Sequence, residues 1–213
     1  MEDSISASNG SSENRHASAC PPPRLSWTLS GTTTVLTKET TDMKISVYLA
    51  TSVNGMISNS RNVPDWLSQE YGMGFMSICQ RTKAVIMGKT TYNILAPDHL
   101  PLKDDGSLVV LTHDTSMKSP QANVLFTDKK PREIVSLLEA RGHTEAVIIG
   151  GTATVDAFMK AGLVDELILV VEPVLFGKGL PLLNQDLDRR LVLLDVKKVN
   201  QNTVQLHYAC SSS

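Results

Sequence analysis

Val85-Ile86-Met87-Gly88-Lys89-Thr90-Thr91-Tyr92 and Val147-Ile148-Ile149-Gly150-Gly151-Thr152-Ala153-Thr154 decide the fold. In each, a short apolar run meets a glycine-containing turn and passes into hydroxyl residues suited to a helix start. Continuously apolar runs of this length suit strands buried on both faces of a mostly parallel sheet. Each stretch therefore reads as a strand-to-helix junction. Working outward, Lys44 to Ala50 is β-rich and opens the domain, Leu108 to Leu111 is a further buried strand, and Val124 to Phe126 is a weaker one. A first helix is expected within Asp65 to Gln80. Pro131 to Arg141 reads as a helix with proline at its first position and Gly142 after its end. Thr152 to Ala161 reads as another, with Thr152 as N-cap and Gly162 as the stop. Leu167 to Val171 is the next strand. The end reads as an antiparallel hairpin, Leu191 to Val196 and Val204 to Tyr208, turning near Asn200-Gln201-Asn202. This alternation predicts an α/β fold of three layers, α/β/α, with a mostly parallel central sheet.

In such sheets ligands bind outside the carboxyl ends of the strands, which is where both glycine turns fall. Free backbone N–H groups and the helix dipole make a helix start a natural anion site, and glycine lets a phosphate approach the backbone. Glycines that only make tight turns would account for either junction alone; two together point to a nucleotide with several phosphates. Gly88-Lys89-Thr90 resembles the end of a P-loop, but the required first glycine would fall at Lys83. No G-x-G-x-x-G follows the opening strand, so the Rossmann fingerprint is absent.

Four stretches together resemble the dihydrofolate-reductase-like superfamily. Ser52-Val53-Asn54-Gly55-Met56-Ile57 is similar to its S-x-D-G-x-I opening, and Val85 to Tyr92 to its M-G-[RK]-x-T-[YW] motif. Ile149-Gly150-Gly151 matches its I-G-G turn. Val164-Asp165-Glu166-Leu167 with Glu172-Pro173-Val174-Leu175-Phe176-Gly177-Lys178-Gly179 resembles one branch in particular. That branch is the C-terminal reductase domain of bifunctional riboflavin-biosynthesis deaminase–reductases and its stand-alone relatives.

The resemblance implies a dihydrofolate-reductase-like fold and an NADPH site. Gly88, Lys89, Thr90 and Thr91 would hold the phosphates from one junction; Gly150, Gly151, Thr152, Ala153 and Thr154, with Ile149 before them, from the other. Thr112 and His113 would meet the adenosine ribose phosphate, and Ala50 and Ile57 would flank the nicotinamide. Ser52, Asn54 and Trp66 would contact substrate. It also implies a cis Gly150–Gly151 bond and a homodimer. The activity implied is hydride transfer to a pterin, aminopyrimidine or flavin-pathway-like substrate, as in 5-amino-6-(5-phosphoribosylamino)uracil reductase.

Folate reductases bind the pteridine through a carboxylate on the first helix. At the family's spacing that position is Gly72, so Glu70 and Asp65 are the candidate catalytic acids, their alternative being solvated first-turn helix acids. Arg61, Arg81 and Lys178 are the candidates to meet a substrate phosphate. Two other readings stand beside the reductase: dihydrofolate reductase proper, and a non-catalytic NADPH-binding module.

Composition narrows the partners. Met1 to Asp42 is rich in Ser and Thr, holds Pro21-Pro22-Pro23 and lacks apolar periodicity, so it is expected to be a disordered tail over 1–42. The domain is expected over 43–210, with a disordered end over 211–213. Outside the tail the basic and acidic residues balance, which is not the footprint of a nucleic-acid binder. No apolar run approaches the roughly 18 residues that span a bilayer. Cys20, Cys79 and Cys210 are scattered, with no C-x-x-C pair and no metal-ligand pattern; a reducing, cytoplasmic setting fits them. The tail carries Glu2, Asp3, Glu13, Glu39 and Asp42, whereas organelle presequences are poor in acids. Organelle targeting stays open beside the cytoplasmic reading.

Overall fold

In the computed structural model, strand periodicity sets the layers. It describes residues 43–95, 99–102, 106–114, 116–119 and 121–210; the expected tail over 1–42 and end over 211–213 lie outside the described residues. β1 (Lys44–Ser52) is buried from Ile45 onward. Ile45, Val47 and Leu49 face one core, while Tyr48 and Ala50 face the other. β3 (Ala84–Gly88) and β6 (Glu145–Ile148) divide the same way: Ala84, Ile86, Ala146 and Ile148 on one side, Val85, Met87 and Val147 on the other. Strands with apolar side chains on both faces need a helical layer on each side.

α1 (Gln69–Thr82) closes one face with Tyr71, Phe75, Ile78 and Cys79. α3 (Pro131–Ala140) and α4 (Thr152–Lys160) close the other with Ile134, Val135, Leu138, Val155 and Phe158. β2 (Met56–Asn59), α2 (Lys89–Leu95), β4 (Ser107–Leu111), β5 (Val124–Thr127), β7 (Glu166–Glu172), β8 (Gly179–Pro181), β9 (Val192–Lys198) and β10 (Val204–Ala209) complete the elements. The main sheet has eight strands in the order β5-β4-β3-β6-β1-β7-β10-β9. Its pairs from β5 to β7 are parallel, and β10 and β9 add the expected antiparallel hairpin. The three-layer fold expected from the sequence is the one observed.

The short pairing of β2 with β8 forms a separate two-stranded sheet that periodicity did not signal. Each strand is only a few residues long and half-buried, so neither has the apolar repeat by which a strand is recognised. The start of α4 also differs from expectation. Gly151 is its N-cap, and Thr152 is the first helical residue, its hydroxyl donating to the Pro181 carbonyl at 2.6 Å. Among the described residues no helix is long and apolar enough to cross a membrane.

Candidate active site

The two junctions that open the sequence reading lie side by side. β3 pairs with β6, which brings both glycine turns to the same edge of the sheet. There the Gly88 N–H donates to the Gly150 carbonyl at 2.8 Å. A Cβ on Gly88 would stand 3.1 Å from the Thr154 hydroxyl, and one on Gly150 would stand 3.1 Å from the Thr91 hydroxyl. Gly150 has φ +130°, a backbone conformation that a side chain disfavours, and the Gly150–Gly151 bond is cis. Side chains are thus kept out of a channel between the starts of α2 and α4.

A cleft of about 1540 Å³ runs over the carboxyl ends of the strands. Ligand pockets usually measure roughly 300–1,000 Å³, so the cleft has room for a dinucleotide and a second molecule. Every candidate cofactor contact lines it: Ala50, Ile57, Gly88, Lys89, Thr90, Thr91, Thr112, His113, Ile149, Gly150, Gly151, Thr152, Ala153 and Thr154. Trp66 lines it too, set edge-on to Phe176 with ring centroids 5.2 Å apart.

The cleft is chemically divided. At the β5 end Lys129 and Lys130 follow the strand, and Lys89 stands at the start of α2 with its ammonium 3.5 Å from Asp114. The Ser116 hydroxyl, and then Lys89, hold the Asp114 carboxyl below its ordinary range. Elsewhere the lining is apolar, with Tyr71 and Phe75 on α1 facing the cleft and Ile94 and Leu95 at the end of α2.

The expected catalytic acids are not in the cleft. Glu70 is half-buried, and its carboxylate accepts from the Asn200 side-chain amide at 3.0 Å; that bond holds its pKa low. Asp65 pairs with Arg61, four residues before it in a loop, at 3.1 Å. Neither residue lines the cleft, and the first turn of α1 sets Glu70 against the β9–β10 turn. Gly72, at the position of the folate reductases' acid, does face the cleft and has open space where a Cβ would stand.

Ser52 and Asn54 are engaged with each other and with the backbone. Neither lines the cleft: the Ser52 hydroxyl donates to Asn54 Oδ1 at 2.8 Å, and the Asn54 amide bridges to the Phe176 backbone at 2.8 and 3.2 Å. They lock the β1–β2 turn onto the segment after β7. The candidate phosphate contacts are placed elsewhere as well. Arg61 is committed to Asp65, Arg81 to Glu145, and Lys178 lies outside the cleft lining.

Sequence reasoning missed Glu172. Among the described residues it is the only charged side chain that is fully buried, at 1% exposure. Oε1 accepts from the Ser68 N–H at 3.0 Å and the Ser68 hydroxyl at 2.6 Å, and Oε2 accepts from the Thr203 hydroxyl at 2.9 Å. Such donors are what a buried carboxylate needs to offset its lost hydration. Ser68 is the N-cap of α1 and lines the cleft, so Glu172 supports the cleft wall from behind. The signal available was a charged residue ending an apolar strand, directly before Pro173.

Comparison with known proteins agrees with this architecture. The chain is 30% identical over 173 residues to the uncharacterised protein YwjB of Bacillus subtilis, covering 78% of this chain and 98% of that one. Its fold resembles a deaminase/5-amino-6-(5-phosphoribosylamino)uracil reductase of Thermotoga maritima, with TM-score 0.66 and 14% identity over 79% of this chain and 57% of that one. A pyrimidine reductase-like protein of Corynebacterium diphtheriae matches with TM-score 0.62 and 17% identity, covering 79% of this chain and 92% of that one. The model of the RibD C-terminal domain family matches residues 43–208, and the chain belongs to that family.

Proposed function

We propose that the chain is an NADPH-dependent reductase of a small heterocyclic or carbonyl substrate, working as a homodimer. The observation that carries the cofactor reading is the pair of glycine turns joined by the Gly88–Gly150 hydrogen bond. Between them, backbone N–H groups at the helix starts can meet a diphosphate with no side chain in the way. Lys89, Lys129 and Lys130 gather at one end of the same cleft, which favours the additional phosphate of NADPH over NADH. The Lys89–Asp114 pair is solvent-exposed, so little energy opposes its exchange for a phosphate. Ala50 and Ile57 would then stand against the nicotinamide. When bound, the cofactor supplies a hydride for a C=N or C=O carbon.

Cofactor fluorescence on the wild type and on Lys89→Ala tests this reading. NADPH binding that exceeds NADH binding in the wild type, and weakens selectively in the variant, is the expected result. Binding of neither nucleotide at millimolar concentration would overturn it.

The non-catalytic module is the second reading, favoured by the placement of Glu70 and Asp65 outside the cleft. Oxidation of bound NADPH by any carbonyl compound excludes it. Dihydrofolate reductase proper is disfavoured by Gly72, which offers no carboxylate to a pteridine.

β9 carries the homodimer reading. It is the outermost strand, and its Val192, Leu193, Leu194 and Val196 are 50–54% exposed. A long apolar edge with unpaired backbone groups is a template for another strand. Two copies related by a two-fold axis pair antiparallel, with one residue opposite itself. Centring on Val196 sets Asp195 against Lys197 of the second copy, twice over; centring on Asp195 or Lys197 sets like charges together.

A further inference from the structure

We infer that the substrate half of the cleft takes a neutral, flat, apolar carbonyl compound or heterocycle and not a phosphate ester, because apolar and aromatic side chains line it and no lysine or arginine among the described residues does. The inference rests on the reductase reading for the cofactor half and deepens it.

The cleft runs from the end of β5 across β4, β3 and β6 to β1. Its lysines all belong to the β5-to-β3 side. The remaining walls are Trp66 and Leu67 before α1, Tyr71 and Phe75 on α1, and Ile94 and Leu95 at the end of α2, the helix that Lys89 begins. A phosphate dianion placed there would lose its hydration with no guanidinium or ammonium to replace it. The arginines nearest in sequence, Arg61 and Arg81, meet Asp65 and Glu145 at the surface, and neither lines the cleft.

Polar capacity at this end is small. The Ser68 hydroxyl is committed to Glu172 at 2.6 Å, and the Ser58 hydroxyl donates to Asn62 Oδ1 at 2.8 Å. That leaves the Asn62 side-chain amide N–H groups and His99 to meet one carbonyl oxygen or ring nitrogen. Electrostatics act in the same direction. The Glu172 carboxylate lies directly behind Ser68 with no cation paired to it among the described residues, so a second anion in front of that wall would be repelled. Gly72 adds open space on the α1 wall where a hydrogen-bonding acid could have selected a pteridine. The walls therefore select for flat apolar area and against charge.

Paired probes of one shape test this on the full chain: para-methoxyacetophenone and para-acetylphenyl phosphate, titrated by calorimetry in excess NADP+. The oxidised cofactor fills the phosphate cradle and prevents turnover. The neutral ketone is expected to bind at least about tenfold more tightly than the ester, a difference of roughly 1.4 kcal/mol. Ile94→Lys, at a position 41% exposed, is expected to bring the ester to parity with the ketone or beyond it. An ester that binds the wild type as tightly as the ketone overturns the inference. So does a chain that binds neither probe at millimolar concentration. If NADP+ itself does not bind, the cofactor reading falls; the same titrations without it still decide between ketone and ester.

Discussion

The Glu172 carboxylate holds Ser68 twice, through the backbone N–H at 3.0 Å and the hydroxyl at 2.6 Å, and so fastens the end of β7 to the first turn of α1. Because Thr203 takes the other oxygen, one buried group joins three segments of the chain. Glu172→Gln keeps the shape but turns an N–H pair towards a donor. It is expected to lose about 1–3 kcal/mol of stability, measured by urea unfolding. Glu172→Ala is expected to lose more, since three donors are then orphaned; an unchanged midpoint for both variants would remove Glu172 from this role.

Two glycines of α1 separate space from propensity. A Cβ on Gly74 would collide with the Tyr48 hydroxyl, whose ring is stacked on Tyr71. Gly74→Ala is expected to destabilise by about 1–3 kcal/mol through overpacking. Gly72→Ala meets nothing within 4 Å and is expected to stabilise the helix by about 0.8–1 kcal/mol. Thermal unfolding of the two variants side by side checks the opposite signs.

Gly150→Ala tests the cradle. The new methyl would demand φ +130° of an alanine and stand 3.1 Å from the Thr91 hydroxyl. NADPH binding is expected to fall by at least about tenfold, the equivalent of roughly 1.4 kcal/mol, as read by cofactor fluorescence. Retained affinity would show that the turn does not approach the ligand.

The β9 edge gives a test by charge reversal. Asp195→Lys sets lysines against each other in the proposed pairing and is expected to shift the chain from dimer to monomer in sedimentation velocity. Asp195→Lys with Lys197→Asp restores opposite charges and is expected to restore the dimer. A wild type that sediments as a monomer would sink the pairing.

Acid lability has an identifiable contributor in Glu166. Burial raises its pKa, but Lys44 and His207 outweigh burial and hold it below the ordinary 4.5. A carboxyl depressed in the folded state adds stability that is fully present above its unfolded value and lost as pH falls through the folded one. The urea midpoint should therefore decline below about pH 4.5, and Glu166→Gln should flatten the decline. An unchanged pH profile in the variant would assign the lability to other groups.

Much of the fold is legible in the sequence because Val47 to Ala50 of β1, Ala84 to Met87 of β3 and Ala146 to Ile148 of β6 are continuously apolar, as a strand covered on both faces requires. The cofactor half of the cleft is legible for a related reason: its contacts are backbone turns, and turns are written locally as Gly88 and as Gly150-Gly151. The substrate half is not. Glu70 and Asp65 have the chemistry of an acid, yet which way a first-turn side chain points depends on the β9–β10 turn, whose Asn200 lies 130 positions along the chain. Glu172 escapes notice because its burial is set by Ser68 and Thr203, neither of them near it in sequence. β2 and β8 are too short to leave a periodic trace.

The Gly88–Gly150 hydrogen bond also means that no contiguous stretch of the chain contains the cradle. One half travels with β3 and α2, the other with β6 and α4, and only the β3–β6 register brings them together. A break in the connection between β4 and β5 would give two pieces, each holding one glycine turn and neither holding a site. Nucleotide affinity would then report reassembly of the sheet, which makes this pair of turns a natural seam for a split-protein sensor.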